Sequence, residues 1–250
     1  MLEKKELQKE QKVSFLLNRA IAHRGLHDIK HGIPENSLLA FSEAIRHNYS
    51  IELDIHILKD GKIVVFHDDD LYRMTGKKGQ ITSFTYDEIK DLKLLDTNQN
   101  IPLFEKVLKT VDGQVPLIIE IKNDRHDTRL EEASAELLQH YKGEYAIKSF
   151  NPFSVLYFKK HFPDVIRGQL VTDFKNTSMN WFKKWSLKNM LLNFATKPDF
   201  ISCDIDFLSN AKVQKARKNR TILGWTVRSQ KELMNAEKLC DNIIFENIRP

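Results

Sequence analysis

The residues best suited to chemistry stand at or near the ends of short apolar runs. His23 and Arg24 follow AIA, Glu52 and Asp54 lie within SIELDIHI, His67 and Asp68 close IVVFHD, and Glu120 and Lys122 stand in PLIIEIK. Residues two apart on a strand leave the same face, so Glu52 pairs with Asp54 and Glu120 with Lys122. Carboxylates sharing a face repel one another unless a cation or a proton lies between them, and Glu120 would add a third. Hard oxygen donors without nearby cysteine or clustered histidine suit Mg²⁺ or Ca²⁺ rather than zinc. Lys122 beside them would partly neutralise the cluster and could bind an anionic substrate oxygen. Each pattern alone also has a plain structural reading. Glu52 and Asp54 would then be a solvated strand face, His67 and Asp68 an exposed turn, and His23-Arg24-Gly25 a charged surface loop.

The elements needed to position such residues follow from the rhythm of the chain. Apolar, β-branched runs at 20–23, 50–57, 116–122, 144–150, 165–171, 199–204, 222–227 and 242–247 alternate with segments of helical periodicity such as SLLAFSEAIRHN, FEKVLKTVD and RLEEASAELLQHYK. Eight such units without a glycine-rich dinucleotide fingerprint predict an α/β fold, a (β/α)8 TIM barrel rather than an open doubly wound sheet. One segment breaks the rhythm: Asp60-Gly61 signals a hairpin, so IVVFH is expected to run antiparallel to 50–57 and to return His67 toward that strand's end. Thr85 is the expected N-cap of a helix in TYDEIKDLK. The chain therefore reads as an N-terminal helical extension at 1–18 and a single barrel domain at 19–250, with a small insertion after the second barrel strand at about 57–115.

The composition narrows the function classes. With 41% apolar and 29% charged residues among 250, the chain has the make-up of a soluble enzyme-sized protein. Its net charge of +5 comes from intermixed charges rather than a basic tail, which permits an anionic ligand without indicating nucleic acid. Cys203 and Cys240 are too few and too far apart for a disulfide framework or a C-x-x-C site, and are expected to be reduced structural thiols. The charged start MLEKKELQKEQK lacks the apolar core of a signal peptide and no run approaches a membrane span, so a cytoplasmic location is expected.

Taken in order, HRG at 23–25, PENS at 34–37 followed by AF, ELD at 52–54, KDGKIVVFHD at 59–68, IP at 101–102, IEIK at 119–122, SFNP at 149–152 and WTV at 225–227 resemble the glycerophosphodiester phosphodiesterase family over nearly the whole chain. The resemblance implies a TIM barrel in which His23 and His67 are catalytic acid and base. It also implies Glu52, Asp54 and Glu120 as ligands of a divalent cation, Mg²⁺ or Ca²⁺, and Arg24 and Lys122 as phosphate contacts. The implied reaction is attack by the substrate's own glycerol hydroxyl, a cyclic phosphate intermediate, and hydrolysis to glycerol 3-phosphate. Glu35 and Asn36 are read as supporting groups, with helix capping as their other role. Trp225 is either a core residue or a wall of the glycerol pocket. PENS in place of PENT, WTVR in place of WTVN and the ending IIFENIRP depart from the family's commoner forms; the last two bear on the leaving-group pocket.

Two alternatives accompany this reading: a phospholipase acting on intact or lyso-phospholipids, and a non-catalytic barrel that binds phospholipid headgroups. Residues 175–194, KNTSMNWFKKWSLKNMLLNF, add a basic aromatic segment after the fifth barrel strand. There Trp181, Trp185, Lys188 and Leu192 recur at helical spacing beside Lys183 and Lys184. Peripheral contact with an anionic membrane is one expectation for it, and an outer helix or insertion packed on its neighbours is the other.

Overall fold

The first apolar run forms only a two-residue strand, β1 (Ile21–Ala22). It is shorter than its sequence suggests because the chain turns at His23, and Arg24 and Gly25 take positive φ values of 54° and 79°. The structure, a computed structural model, describes residues 12–123, 127–175 and 181–250. They fall into two compact units, one formed by Ala22–Tyr145 and the other by Ala146–Pro250 with the chain up to Ile21. The first eleven residues of the expected N-terminal extension lie outside the described residues.

In the unit Ala22–Tyr145, the run SIELDIHI forms β2 (Ser50–Ile57) over its full expected length, buried throughout. The Asp60-Gly61 turn sends the chain back as β3 (Ile63–Val65), antiparallel to β2 with Ile55 opposite Val65. Gly61 at φ 82° supplies the left-handed turn residue. Strand β4 (Leu117–Ile121) runs parallel to β2. The helix Leu38–Arg46 buries Ala40, Phe41 and Ala44, while Phe104–Val111 buries Phe104, Val107, Leu108 and Val111, the apolar stripe of an amphipathic helix. These two helices pack on each other. Between β2 and the second of them, Leu58, Val64, Phe66, Leu71, Met74, Ile81, Ile89, Leu94 and Ile101 form a separate apolar cluster. It holds a long excursion in place, and within it Thr85 is the expected N-cap, joined with Glu88 in a capping box at Tyr86–Ile89, a helix shorter than TYDEIKDLK suggested.

In the other unit, β5 (Tyr145–Ser149), β6 (Ile166–Val171), β7 (Phe200–Asp204), β8 (Thr221–Val227) and β9 (Asn242–Phe245) each pair in parallel with the next. Helices Pro152–His161, Ala211–Arg217 and Gln230–Leu239 connect them, with Asn151, Asn210 and Ser229 as side-chain N-caps. Asn242 Nδ2 donates to the carbonyls of Leu16 (2.6 Å) and Arg19 (2.7 Å), tying the start of the described chain to this unit. Apart from β3, the described residues contain eight parallel strands alternating with helices, and the fold is a (β/α)8 barrel. The basic aromatic segment is not one helix. It contains Trp181–Lys188 and Asn193–Thr196, separated by Met190 at φ 54°, and residues 176–180 lie outside the described ones. No helix among the described residues is long and apolar enough to cross a membrane.

Candidate active site

Strand register places three carboxylates together. Asp54 on β2 stands directly opposite Glu120 on β4, and Glu52 lies two residues before Asp54 on the same face. One oxygen from each carboxylate lies within 4.8 Å of the others, and all three residues are buried. Ile51, Leu53 and Ile55 leave the opposite face and are fully buried among apolar groups, which holds the acidic face in place. An isolated carboxylate triad buried in this way would be prohibitively costly.

Cations and hydrogen-bond donors surround the cluster. Lys122 Nζ lies 3.3 Å from Glu120 Oε1 and 3.8 Å from Asp54 Oδ1. Arg24 Nε is 3.8 Å from Asp54 Oδ2, and the Arg24 backbone N–H donates to Glu52 Oε2 at 3.0 Å. Asn36 Nδ2 donates to Asp54 Oδ2 at 3.0 Å. His23 Nε2 stands 4.0 Å from Glu52 Oε2. Burial and the neighbouring Glu52 both push the Asp54 carboxyl up, but His67, Lys122 and Arg24 outweigh them and hold it below its ordinary value. Lys122 responds in the complementary sense: burial pushes its ammonium down, yet Glu120 and Asp54 raise it well above the usual lysine range. Three carboxylates against two side-chain cations still leave a negative charge. Asn36 Oδ1 is buried without a hydrogen-bond partner, so one further oxygen acceptor adjoins the set. A hard, compact donor set with unspent negative charge fits a divalent cation.

Backbone geometry explains how His23 and Arg24 reach this position. Gly25 N–H donates to Ala22 O (3.3 Å) and Glu52 O (3.2 Å), and a Cβ there would come within 2.9 Å of Ala40 and Phe41. Only glycine meets both that contact and the positive φ. Asn36, also left-handed at φ 52°, donates its backbone N–H to Arg24 O at 2.9 Å, so the PENS loop closes against the HRG turn.

His67 is delivered by the hairpin. Phe66 N–H donates to Asp54 O at 2.9 Å, so the returning chain passes the acidic cluster one residue before His67. His67 Nδ1 is 2.7 Å from Asp68 Oδ1, and His56 Nε2, on the same face of β2 as Glu52 and Asp54, lies 3.3 Å from His67 O. With Nδ1–H donating to Asp68, the Nε2 of His67 is the lone-pair nitrogen. Asp68 is gripped by Arg73 through Nε (2.5 Å) and Nη2 (3.0 Å). The same guanidinium reaches Glu35 at 3.0 and 2.7 Å, and Glu35 in turn accepts from Arg24 Nη1 at 2.7 Å. A continuous chain of charged hydrogen bonds thus links His67 to Arg24. Burial pushes Glu35 up, but Arg73 and Arg24 hold it below the usual carboxylate range.

Of the eight residues singled out from the sequence, His23, Arg24, Glu52, Asp54, His67, Glu120 and Lys122 meet in one unit. Trp225 belongs to the unit Ala146–Pro250, half-buried at 5.9 Å from Phe150, which in turn lies edge-on to Phe174. Sequence reasoning missed Arg73 and His56 and understated Glu35. His56 had a legible signal, the two-residue period from Glu52 and Asp54. Arg73 had none, since its partners are 5 and 38 positions away.

A family model, the Glycerophosphoryl diester phosphodiesterase family, matches residues 23–248. The chain belongs to this family. A glycerophosphodiester phosphodiesterase of Bacillus altitudinis is 33% identical over 172 residues, covering 63% of this chain and 68% of that protein. Among solved structures, a phosphodiesterase of Oleispira antarctica, determined in complex with the product sn-glycerol-3-phosphate, matches with a TM-score of 0.79 and 22% identity over 94% of each chain. A glycerophosphodiester phosphodiesterase of Parabacteroides distasonis matches with a TM-score of 0.72 and 26% identity over 91% of this chain and 92% of its own. As a member of the glycerophosphoryl diester phosphodiesterase family, this protein is an enzyme, a phosphoric diester hydrolase.

Proposed function

We propose that this enzyme hydrolyses glycerophosphodiesters to glycerol 3-phosphate and an alcohol in a reaction that depends on a divalent cation, Mg²⁺ or Ca²⁺. The observation that carries the reading is the buried triad Glu52, Asp54 and Glu120, flanked by two imidazoles and by Arg24 and Lys122. When bound by those three carboxylates, the cation supplies Lewis-acid polarisation of a phosphoryl oxygen and lowers the pKa of a nearby hydroxyl.

The chain's own residues account for the remaining work. Arg24 and Lys122 hold the substrate's phosphoryl oxygens and oppose the charge that builds on them in the transition state. One imidazole takes the proton from the glycerol 2-hydroxyl as that oxygen attacks phosphorus. The other gives a proton to the departing alkoxide, leaving a cyclic phosphate and a free alcohol. The roles then reverse: water is deprotonated as it opens the ring, and the ring oxygen that leaves is protonated, giving glycerol 3-phosphate. Asp68 fixes the tautomer of His67 for this exchange, and Arg73 and Glu35 hold Asp68 in register with Arg24.

The test is release of glycerol 3-phosphate from a panel of glycerophosphodiesters after chelation, with Mg²⁺ and Ca²⁺ restored separately. Turnover should vanish on chelation and return with one of the ions; turnover indifferent to chelator would defeat the metal-dependent reading. A second reading, action on lyso-phospholipids, draws on a relative named lysophospholipase D in Rattus norvegicus, 30% identical over 54% of this chain and 46% of its own length. Including lyso-phospholipids in the same panel separates the two.

A further inference from the structure

We propose that the segment from Trp181 to Lys197 is a peripheral docking surface for anionic lipid membranes, independent of the catalytic reading above. Its aromatic side chains face outward. Trp181, Phe182, Trp185 and Phe194 are 77%, 60%, 50% and 79% exposed, and Leu191 is exposed as well. From Trp181 to Ala195 no residue of described burial is buried. An outer barrel helix would turn such residues inward; here they are left in water although the segment's other side is anchored.

The anchoring is specific. Lys159 Nζ donates to Ala195 O, Lys212 Nζ donates to Asn189 Oδ1 at 2.7 Å, and Lys188 Nζ lies 5.3 Å over the Phe207 ring. The aromatic side chains make contact mainly with one another, Trp181 to Phe182 at 5.8 Å and Phe182 to Trp185 at 6.1 Å between ring centroids. Trp181 and Trp185 are one helical turn apart with Phe182 beside them, and Lys184 and Lys188, also a turn apart, flank them.

Charge decides the occupant. Lys175, Lys183, Lys184, Lys188 and Lys197 fall in a stretch with no Asp or Glu from 174 to 198. Beside Phe194, a cleft of about 540 Å³ is lined by Arg167, Lys197 and Arg220 along with Asp199. Exposed tryptophan suits the headgroup region, where an apolar ring and a polar N–H are both satisfied, and lysines at its rim reach lipid phosphates. An apolar surface on which lysines outnumber carboxylates, Asp199 being paired with Arg167 at 3.7 Å, is complementary to an anionic bilayer.

Flotation of the full chain with phosphatidylcholine vesicles, with and without phosphatidylglycerol, tests this. Binding should require phosphatidylglycerol and weaken as salt is raised. Lys184→Gln with Lys188→Gln should lower the partition coefficient about fivefold or more per lysine, and Trp181→Ala with Trp185→Ala about tenfold or more. Hydrolysis of a soluble glycerophosphodiester and the melting temperature should stay at wild-type values in the tryptophan variant, which separates lost docking from lost folding. Absence of flotation, equal flotation on neutral vesicles, or flotation unchanged by the tryptophan replacements would overturn the proposal. So would a lipid-free dimer that those replacements dissociate, which would make the patch a protein–protein face.

Discussion

In the proposed reaction imidazole, carboxylate and guanidinium divide the work, and each is held by contacts at single atoms. His23 and His67 carry no chemistry that a buried apolar core would need, yet both are held beside the acidic cluster. Replacing either by alanine should lower kcat by about 10²- to 10⁴-fold while the far-ultraviolet circular dichroism is preserved; a folded variant with wild-type kcat would remove that histidine from the mechanism. Asp68 makes a prediction of a different kind. Burial pushes its carboxyl up, but hydrogen bonds from His67 and Arg73 more than compensate and hold it well below the usual carboxylate range. A carboxyl whose folded value lies below its unfolded one contributes stability that is complete above about pH 4 and is lost as the pH falls through the folded value. The melting temperature of Asp68→Asn should therefore fall below wild type at neutral pH, with the gap narrowing as the solution is acidified below about pH 4. A gap constant with pH would mean that Asp68 is not held as described.

At the scale of elements, the hairpin and the PENS loop act as a positioning frame. The antiparallel excursion β2–β3 returns His67 to the level of Asp54, and the apolar cluster behind it, from Leu58 to Ile101, keeps the return path rigid. The short helix Tyr72–Thr75 matters chiefly for Arg73, whose guanidinium joins Asp68 on one side to Glu35 on the other. Planar bidentate geometry is what lysine cannot supply. Arg73→Lys should thus reduce kcat by up to about 10²-fold with KM changed much less, because Asp68 and Glu35 lose the fork that joins them. A wild-type kcat with a lowered melting temperature would assign Arg73 a packing role alone.

For the whole molecule, the proposed cation at the buried triad makes a prediction about stability. In the folded chain Glu52, Asp54 and Glu120 are preassembled, whereas the unfolded chain offers no such cluster, so a cation that binds only the folded form stabilises it by mass action. Raising Mg²⁺ or Ca²⁺ to about a hundred times its Kd should add about 2.7 kcal/mol, seen as a higher melting temperature. Asp54→Asn should abolish the increase. This measurement needs no turnover, so it separates ion binding from catalysis. The two cysteines add nothing to this chemistry: both are buried, and burial pushes the Cys240 thiol up to about 11, leaving it protonated and poorly nucleophilic at neutral pH.

How much could be read from the chain differs from one residue to the next. SIELDIHI carried its own strand, its face and its two carboxylates, because a period of two is a local property of the backbone. Asp60-Gly61 likewise announced the hairpin that brings His67 home, and the spaced motifs between His23 and Trp225 matched a family. None of these signals contained the register of β2 against β4, which sets Asp54 opposite Glu120, or the fork by which Arg73 joins Asp68 to Glu35. The tryptophans at 181 and 185 show the same limit: their spacing suited a packed helix as well as an open face, and only the folded chain shows them turned to solvent. The sequence by itself determined most of the elements and the residue types at their ends, since these follow from local propensity and periodicity, and its ordered motifs carried the class of chemistry through their resemblance to a family. The tertiary structure alone decided which charges meet, because contact between residues far apart in the chain depends on strand pairing and packing that no local pattern encodes.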